Sequence, residues 1–413
     1  MAAQRRLTSV EEVSMKSVVI ACALRTPVGS MGGVFKDVSD VDLAQTVLNA
    51  VAVRSGIDKA IVDEIVLGQA KQHADAPNIA RVAALKAGFP EEVPAYTVHR
   101  QCSSGLQAIL DAVWQIQAGY GDVIVAGGVE SMSTAPYYLR NARYGYRSGN
   151  GVLVDPNTES QPKSQPEEMY GSFNMGMTAE NLAEKYGISR TEQDEFAYAS
   201  HVKAIAATDA GRFTDEIVPM SVAAGKGQST LVDADEGPRR DTSLEKMSKL
   251  KPAFKEGGTV TAGNSSTRND GAAAVLVVSE EKAIELGLKP LVRFVAAGIA
   301  GVNPTIMGIG PVPATRKALQ RSGLSLQDIG LIELNEAFAA QSLAVVKELD
   351  LNREILNVNG GAIALGHPLG CSGTRISVTL IHEMVRRNTR YGLATICVAG
   401  GLGVSAIFEN LSA

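Results

Sequence analysis

Three short segments of this chain each occur twice, in the same order and about 270 positions apart. The first copies lie at 54–57, 102–105 and 125–128, and the second copies lie at 321–324, 371–373 and 398–401. A single match of this length is trivial. Three matches in register indicate that the chain contains two copies of one supersecondary unit.

Apolar stretches of strand length alternate with helical stretches within each copy. Residues 18–20, 65–67 and 331–334 have a strand pattern. Residues 40–55 and the stretch after Cys102 have a helical pattern. Alternation of this kind indicates a mostly parallel sheet covered by helices. We therefore predict an α/β fold with two duplicated βαβαβ-type halves and helices on the sheets.

The first copy differs from the second by a long insertion. In the second copy Gly401 leads almost directly into the apolar stretch 404–408, as in a hairpin, whereas a long polar segment separates Gly128 from the equivalent stretch 273–278. An insertion beside the ends of two sheets is a natural cover for a long substrate. We expect an N-terminal half at 1–133 with 269–289, an inserted loop domain at 134–268 with helices near 177–211, and a C-terminal half at 290–413.

The composition narrows the possible classes of function. The chain has 413 residues, of which 45% are hydrophobic and 20% charged, as in an ordinary globular protein. Its formal net charge of −5 comes with no basic block, so the composition gives no support for nucleic-acid binding. No apolar run approaches the ~18–20 residues of a membrane span.

The cysteines and the first residues bear on the cellular compartment. The chain has four scattered cysteines, which suit neither a disulfide framework nor a zinc site, and they are Cys22, Cys102, Cys371 and Cys397. We therefore expect reduced thiols and a cytoplasmic location. Residues 1–14 are polar and contain two glutamates, which argues against a secretory signal and weakens a mitochondrial transit interpretation.

Cys102 lies immediately before an apparent helix. The positive end of a helix dipole lowers the pKa of a thiol and so favours the nucleophilic thiolate. Free cysteine is also among the most buried residue types. A packing role is therefore an equally good explanation of Cys102 taken alone.

His367 is one of five histidines and lies in the turn 366–370, again before a helix. The glycines at both ends of this turn permit close approach to a ligand, and Pro368 fixes its conformation. Histidine is suited to activating a thiol near neutral pH. A purely structural turn would explain the same pattern.

Cys397 ends a strand-like run and precedes a glycine-rich turn. Its sulfur could lie in a cleft beside backbone N–H groups that stabilise an oxyanion. The alternative is a cysteine packed in a strand.

Asn335 closes the strand-like stretch 331–334 and precedes a helical one. Its amide could hold a water or a substrate oxygen in the site. It could equally serve as the N-cap of the following helix.

The repeat predicts that these four side chains meet. A pseudo-twofold relation would bring Cys102 and the turn at His367 to the centre, while Asn335 and Cys397 end strands of the second copy. Two cysteines and a histidine without metal-ligand spacing favour acyl transfer with a separate proton carrier over zinc binding.

The same residues lie in motifs that resemble those of the thiolases. The matching segments have the order and spacing of the thiolase signatures and lie around Cys102 and at 175–181, 260–266, 335–338, 366–370 and 397–403. The resemblance implies a thiolase fold and a reversible condensation of two acetyl-CoA to acetoacetyl-CoA and CoA. It implies no permanently bound cofactor, since coenzyme A is a substrate.

The resemblance also implies catalytic roles. His367 would take the proton of Cys102, whose thiolate would become acetylated. Cys397 would remove the α-proton of the second acetyl-CoA. One oxyanion hole would consist of His367 and a water held by Asn335, and the other of the backbone N–H groups of Cys102 and Ala399.

The binding residues implied by the resemblance fall into two groups. Those expected to contact coenzyme A, under the inserted loop domain, are Ser266, Arg239, Leu250 and Phe254. Those expected to line the acyl pocket are Met175, Met307 and Phe338, although methionine is also a common core residue.

The sequence departs from the usual thiolase pattern at several positions. His99 stands where asparagine is common, and Ser103 stands where glycine is common. Ala399 replaces the first glycine of a Cys-x-Gly-Gly-Gly motif, and its N–H keeps its direction if φ is negative there. Asn174 replaces a histidine of many short-chain biosynthetic members, which leaves longer 3-ketoacyl-CoA substrates open.

Four alternatives compete with this interpretation. The nearest is a degradative 3-ketoacyl-CoA thiolase of fatty-acid metabolism with a wider acyl pocket. A decarboxylating ketoacyl synthase would carry histidine or asparagine in place of Cys397. A non-catalytic, thiolase-like lipid-binding protein would lack one of the reactive side chains, and a nicotinamide dehydrogenase would need Gly-x-Gly-x-x-Gly after its first strand. As for partners, the resemblance implies a homodimer, often doubled to a homotetramer.

Overall fold

The structure is a computed structural model that describes residues 15–225 and 227–413. The expectations for residues 1–14 lie outside this range. The described strands are β1 (Val18–Arg25), β2 (Gly29–Ser30), β3 (Glu64–Gly68), β4 (Ala95–Val98), β5 (Val123–Ser131), β6 (Tyr138–Leu139), β7 (Leu153–Val154), β8 (Met220–Gly225), β9 (Gln228–Val232), β10 (Asn269–Ser279), β11 (Val292–Gly301), β12 (Leu331–Leu334), β13 (Tyr391–Val398) and β14 (Leu402–Asn410).

The helices pack on both faces of these strands. The described helices are α1 (Asp40–Ser55), α2 (Ile79–Lys86), α3 (Ser104–Gln117), α4 (Pro156–Glu159), α5 (Glu167–Tyr170), α6 (Met175–Tyr186), α7 (Arg190–Asp209), α8 (Leu244–Ser248), α9 (Glu280–Glu285), α10 (Pro311–Ser322), α11 (Ala339–Leu349), α12 (Ala362–Leu365) and α13 (Leu369–Arg387). Short 3₁₀ turns lie at Lys59–Ile61, Ala142–Tyr144, Pro304–Ile309 and Leu326–Asp328. Within the described part of the chain, no helix combines the length and apolar character needed to span a membrane.

Apart from the edge strand β4 and the short β2, which pairs with β10, the main sheet is symmetric about its centre, with the strand order β12-β13-β14-β11-β1-β10-β5-β3-β4. At the centre β1 and β11 run antiparallel, where Val19 and Ile20 pair with Arg293 and Val292. Outward from this seam, β1-β10-β5-β3 and β11-β14-β13-β12 show the same sequence of two antiparallel pairings and one parallel pairing. The predicted duplication of two α/β halves is therefore confirmed.

The expectation of a mostly parallel sheet was wrong. Each half contains an antiparallel pair that begins with the strand at its repeated Val-Ala-Gly-Gly segment, β5 with β10 in the first and β13 with β14 in the second. Each half then adds a further antiparallel strand, β1 or β11, which leads to a mixed sheet. The hairpin inferred at Gly401 is the pair β13–β14. The equivalent pair in the first half is β5–β10, whose two strands are separated in the sequence by the insertion.

Helices α3 and α13 are the pseudo-twofold mates that position the site. They pack against each other and against β5. Their contact is close because of two glycines: a Cβ on Gly105 would lie 2.5 Å from Thr374 Oγ1, and one on Gly373 would lie 2.4 Å from Leu106 N. The N-terminal ends of both helices consequently meet at one place, as the repeat predicted.

The segment between β5 and β10 carries α4 to α8 and two small hairpins, β6–β7 and β8–β9. The predicted helices near 177–211 correspond to α6 and α7. A buried ion cluster joins this segment to β1, since Arg25 donates to Glu216 Oε1 at 2.6 Å and to Asp235 Oδ1 at 2.6 Å. Such fully desolvated charges must keep their partners, so the segment is firmly attached at this point.

Candidate active site

Cys102 lies in the short connection between β4 and α3. Gln101 immediately before it has a φ of 45°, a conformation that non-glycine residues rarely adopt. The Gln101 side chain is held by its amide N–H group, which donates to Ser164 Oγ at 3.0 Å. This sharp turn leaves the Cys102 thiol at the floor of a cleft, 8% exposed.

Burial raises the pKa of the Cys102 thiol to about 11, against the lowering effects of the backbone N–H groups of Ala399 and Cys102 and of the Lys71 ammonium. The sequence-based expectation of a lowered pKa at a helix start was therefore wrong for this state. The helix-start geometry is present, but desolvation outweighs it. The resting thiol is protonated at neutral pH and needs a base.

His367 lies in the turn between α12 and α13, on the wall of the same cleft. Its backbone N–H donates to Asn269 Oδ1 at 2.9 Å. Its Nδ1 lies 2.6 Å from Ser372 Oγ, and the Ser372 hydroxyl donates to Pro368 O at 2.8 Å. Because the single hydroxyl proton is used there, Ser372 accepts a hydrogen bond from Nδ1–H. The Nε2 lone pair is then free to accept a proton.

Burial, with a contribution from the charge of Arg375, lowers the pKa of His367 to about 3. The imidazole is therefore neutral at physiological pH. A neutral ring with a fixed tautomer is the form in which histidine acts as a base. The thiol of Cys102 lines the same cleft as this base.

Cys397, near the end of β13, also lines this cleft. Burial raises the pKa of its thiol well above the usual value, and the charge of a Cys102 thiolate raises it further. The next residues turn sharply, with φ of 89° at Gly400 and 83° at Gly401. Ala399 does not share this positive φ, so its N–H keeps its direction toward the Cys102 sulfur.

Asn335 is fully buried after β12 and does not itself line the cleft. Neither its amide oxygen nor its amide nitrogen has a hydrogen-bond partner among the described protein atoms. The interpretation of Asn335 as a helix N-cap was wrong, because α11 begins at Ala339 and Phe338 occupies the N-cap position. An amide with both ends unpaired is suited to binding a small polar molecule such as water.

The remaining predicted residues divide between two hollows. The cleft at Cys102 has a volume of about 200 Å³, and its lining includes Met175, Phe254, Ser266, Met307 and Phe338. The rings of Phe254 and Phe338 meet edge to face with centroids 6.0 Å apart. Leu250 and Arg239 instead line a separate hollow together with Lys246 and His201.

The chain matches two family models. Residues 18–281 match the model described as thiolase, N-terminal domain, and residues 288–410 match the model described as thiolase, C-terminal domain. The chain belongs to the thiolase family. It is therefore an acyltransferase of the thiolase type, in agreement with the motif-based prediction.

Individual relatives are similar along nearly the whole chain. The acetyl-CoA acetyltransferase of Pseudomonas aeruginosa is 51% identical over 391 residues, 95% of this chain and 98% of the relative. A crystal structure of the Bacillus anthracis acetyl-CoA acetyltransferase is 50% identical with a TM-score of 0.94, covering 97% of this chain and 100% of its own. A crystal structure of human mitochondrial 3-ketoacyl-CoA thiolase in complex with CoA is 43% identical with a TM-score of 0.91. The match covers 96% of this chain and 98% of that chain.

Several polar residues of this thiolase site were missed by sequence reasoning. Glu130 is fully buried in β5, where its Oε2 accepts from the Gly370 N–H at 2.9 Å beside the His367 turn. The sequence signal that could have identified Glu130 is a carboxylate within a mostly apolar strand. Asn269 and Ser372, which fix His367, gave a weaker signal, although Ser372 follows the repeated cysteine. The missed lining residues include Met132, Asn157, Gln161 and Arg268.

Proposed function

We propose that this thiolase condenses two acetyl-CoA to acetoacetyl-CoA and CoA, reversibly, through an acetylated Cys102. The observation that carries the proposal is the shared cleft of Cys102, His367 and Cys397. The acetyl-CoA acetyltransferases among its relatives support the acetyl group as the transferred unit.

In the first half-reaction the Cys102 proton passes to His367 Nε2, and the thiolate attacks the thioester carbonyl of acetyl-CoA. The tetrahedral oxyanion accepts hydrogen bonds from the backbone N–H groups of Cys102 and Ala399. The CoA thiolate leaves and takes the proton from His367. Neutral CoA and acetyl-Cys102 remain, and the imidazole is again neutral.

In the second half-reaction the Cys397 thiol passes its proton to His367 Nε2, and the resulting thiolate removes an α-proton from a second acetyl-CoA. The carbanion attacks the carbonyl of acetyl-Cys102 and so forms the new carbon–carbon bond. The enolate oxygen is stabilised by His367 when Nε2 carries a proton and by a water that Asn335 holds. Stabilising this oxygen is the largest catalytic requirement, because a thioester α-proton is only weakly acidic. Departure of the Cys102 thiolate then breaks the carbon–sulfur bond of the tetrahedral intermediate, and the thiolate takes the proton from His367.

Coenzyme A is proposed to bind with its pantetheine arm along Leu250, Phe254 and Ser266. The Ser266 hydroxyl donates to Ala337 O at 3.0 Å, which leaves its oxygen free to accept from an amide N–H. Arg239 and Lys246 in the neighbouring hollow would supply positive charge for the nucleotide phosphates. The CoA complex of the human relative supports this use of the fold.

A degradative 3-ketoacyl-CoA thiolase is the second candidate. Asn174, rather than histidine, lines the cleft, where its Oδ1 caps α6 by accepting from the Met177 N–H at 3.0 Å. Three methionines, Met132, Met175 and Met307, line the same cleft and are adaptable enough to accept a longer chain.

The deciding experiment is CoA-dependent cleavage of acetoacetyl-CoA compared with 3-ketodecanoyl-CoA by the purified enzyme. A higher kcat/KM for acetoacetyl-CoA supports the acetyltransferase assignment. Equal or better cleavage of the longer substrate assigns the degradative class. Cleavage of neither substrate would refute both proposals.

The proposed assembly is a homodimer that doubles to a homotetramer. The hairpin β6–β7 and its flanks carry apolar side chains that are 45 to 71% exposed, namely Tyr137, Tyr138, Leu139, Val152 and Leu153. A second copy of the chain would cover such a patch. Light scattering of the purified protein tests this oligomeric state.

The proposed location is the cytoplasm. Four buried, unpaired cysteines fit this proposal, because a reducing compartment keeps thiols free.

A further inference from the structure

Lys71 is a buried lysine that the mechanism above does not use. It follows β3 and is only 4% exposed. Its Nζ donates to Pro156 O at 2.6 Å, to Gln161 Oε1 at 3.2 Å and to Ser160 Oγ. An ammonium has three N–H donors and a neutral amine has two, so three acceptors match the charged form. All three acceptors belong to the inserted segment.

The backbone at Lys71 is fixed to the core of the site by Glu130. The backbone N–H of Lys71 donates to Glu130 Oε1 at 3.0 Å, and the N–H of Ala70 donates to Oε2 at 3.0 Å. The same Oε2 accepts from Gly370 in the turn that carries His367. One carboxylate therefore joins the loop after β3 to the loop of the catalytic base, and its charge compensates the buried ammonium.

The other end of Lys71 holds one wall of the acyl pocket. The stretch 156–162, called here the wall segment, contributes Asn157, Thr158, Gln161 and Pro162 to the lining of the cleft. Lys71 binds the first turn of this segment through Pro156 O and its last turn through Gln161. The charge of Lys71 also acts on Cys102, whose pKa it lowers.

We propose that Lys71 is a positioning and specificity-determining residue, whose ammonium holds the wall segment against the loop after β3 and so limits the length of acyl chain that fits. This inference rests on the thiolase activity and the acyl pocket proposed above. Without the ammonium, the wall segment loses three hydrogen bonds toward the core. The pocket then opens toward longer chains, and the fit to a short acetoacetyl group loosens.

Two variants test this role, with one matched control. Lys71→Met removes the charge and keeps a similar length. Ser160→Ala removes one acceptor of Lys71 at a residue that does not itself line the cleft, together with the hydrogen bond from the Ser160 hydroxyl to Gln161 Oε1. Lys203→Met is the control: Lys203 is also partly buried and donates to a backbone carbonyl, Leu356 O at 2.9 Å, away from the cleft.

The measurement is the ratio of kcat/KM for 3-ketodecanoyl-CoA to that for acetoacetyl-CoA. We expect Lys71→Met to raise this ratio about tenfold, a typical effect of altered acyl-pocket fit. Ser160→Ala should raise it less, and should add nothing in the Lys71→Met background, because both changes break the same contact. Lys203→Met should leave the ratio unchanged.

A ratio that stays within about twofold of wild type in both folded variants, or that falls, overturns the proposal. If Lys71→Met does not fold, the ratio of Ser160→Ala alone decides. General damage to the enzyme would lower both kcat/KM values together and leave their ratio unchanged, which also contradicts the proposal. A wild-type enzyme that cleaves neither substrate would instead refute the proposed function.

Discussion

Cys102 and Cys371 occupy equivalent positions in the two copies of the repeat, yet only Cys102 faces the cleft. Cys102 precedes α3 by two residues, after the strained turn at Gln101. Cys371 lies inside the first turn of α13 and is 1% exposed, and burial raises the pKa of its thiol to about 12. The point at which the helix begins therefore decides which equivalent cysteine can react.

The serines that follow these cysteines have also diverged. Ser103 Oγ donates to Arg100 O at 3.2 Å and so closes the turn before α3. Ser372 Oγ instead accepts from the His367 ring and sets its tautomer. In the second copy His367 rather than the cysteine lines the cleft, and Ser372 supports its ring from inside the helix.

The largest expected difference between the copies concerns acylation itself. Cys102→Ala should lose the thiol that takes the acetyl group, with kcat falling by at least about 10⁴-fold. Incubation with acetyl-CoA followed by mass spectrometry of the intact protein should show no acetyl adduct. An adduct formed at the wild-type rate would place the nucleophile elsewhere.

Cys397→Ala should separate the two half-reactions. Because the proposed role of Cys397 is proton removal from the second acetyl-CoA, the variant should still form acetyl-Cys102. Condensation should fall by about 10²- to 10⁴-fold, the usual range for a lost general base. Near-normal condensation, measured as acetoacetyl-CoA formed, would assign the proton transfer to another group.

Asn335→Ala should have an intermediate effect. Loss of the amide that orients the proposed water should lower condensation by about 10²-fold, as for one missing oxyanion donor, while acetyl-Cys102 still forms. The control is thermal unfolding, since the substitution also alters a buried position. Equal losses in both half-reactions would argue for a structural role only.

The smallest effect is expected at Cys371. Cys371→Ala removes a buried sulfur that only packs, so it should cost about 1 kcal/mol of unfolding free energy in a denaturant titration. Turnover of acetoacetyl-CoA should stay within about twofold of wild type. A large loss of turnover at unchanged stability would show that the two copies share more function than their exposure indicates.

The parts of the fold that could be predicted from the sequence are mainly those that the internal repeat indicates. The match at 398–401 identified the hairpin of β13 and β14, and it also indicated that β10 resumes the first copy after the insertion. The helix α1 was predictable at both ends, since Ser39 caps it by accepting from the Asp42 N–H and Gly56 ends it with a φ of 72°. Local patterns of this kind depend on neighbouring residues only.

The parts that could not be predicted depend on distant contacts. The pKa of Cys102 follows from burial by α13 and the inserted segment, which no local pattern reports. Glu130 and Lys71 are isolated charges in the sequence, and their partners lie between 59 and 240 positions away. The roles assigned to the catalytic, coenzyme A and acyl-pocket residues stay predictions, as do the domain boundaries at 133, 268 and 289.

The narrow seam at β1 and β11 separates Cys102, in one half, from His367 and Cys397, in the other. A polypeptide with a single copy of the repeat could form this cleft only by pairing with itself, and both sides would then carry identical groups. Two copies in one chain are free of that restriction, because a substitution on one side does not appear on the other. Equivalent positions can therefore differ, as Cys102 and Cys371 do in exposure, and each half can carry its own chemistry.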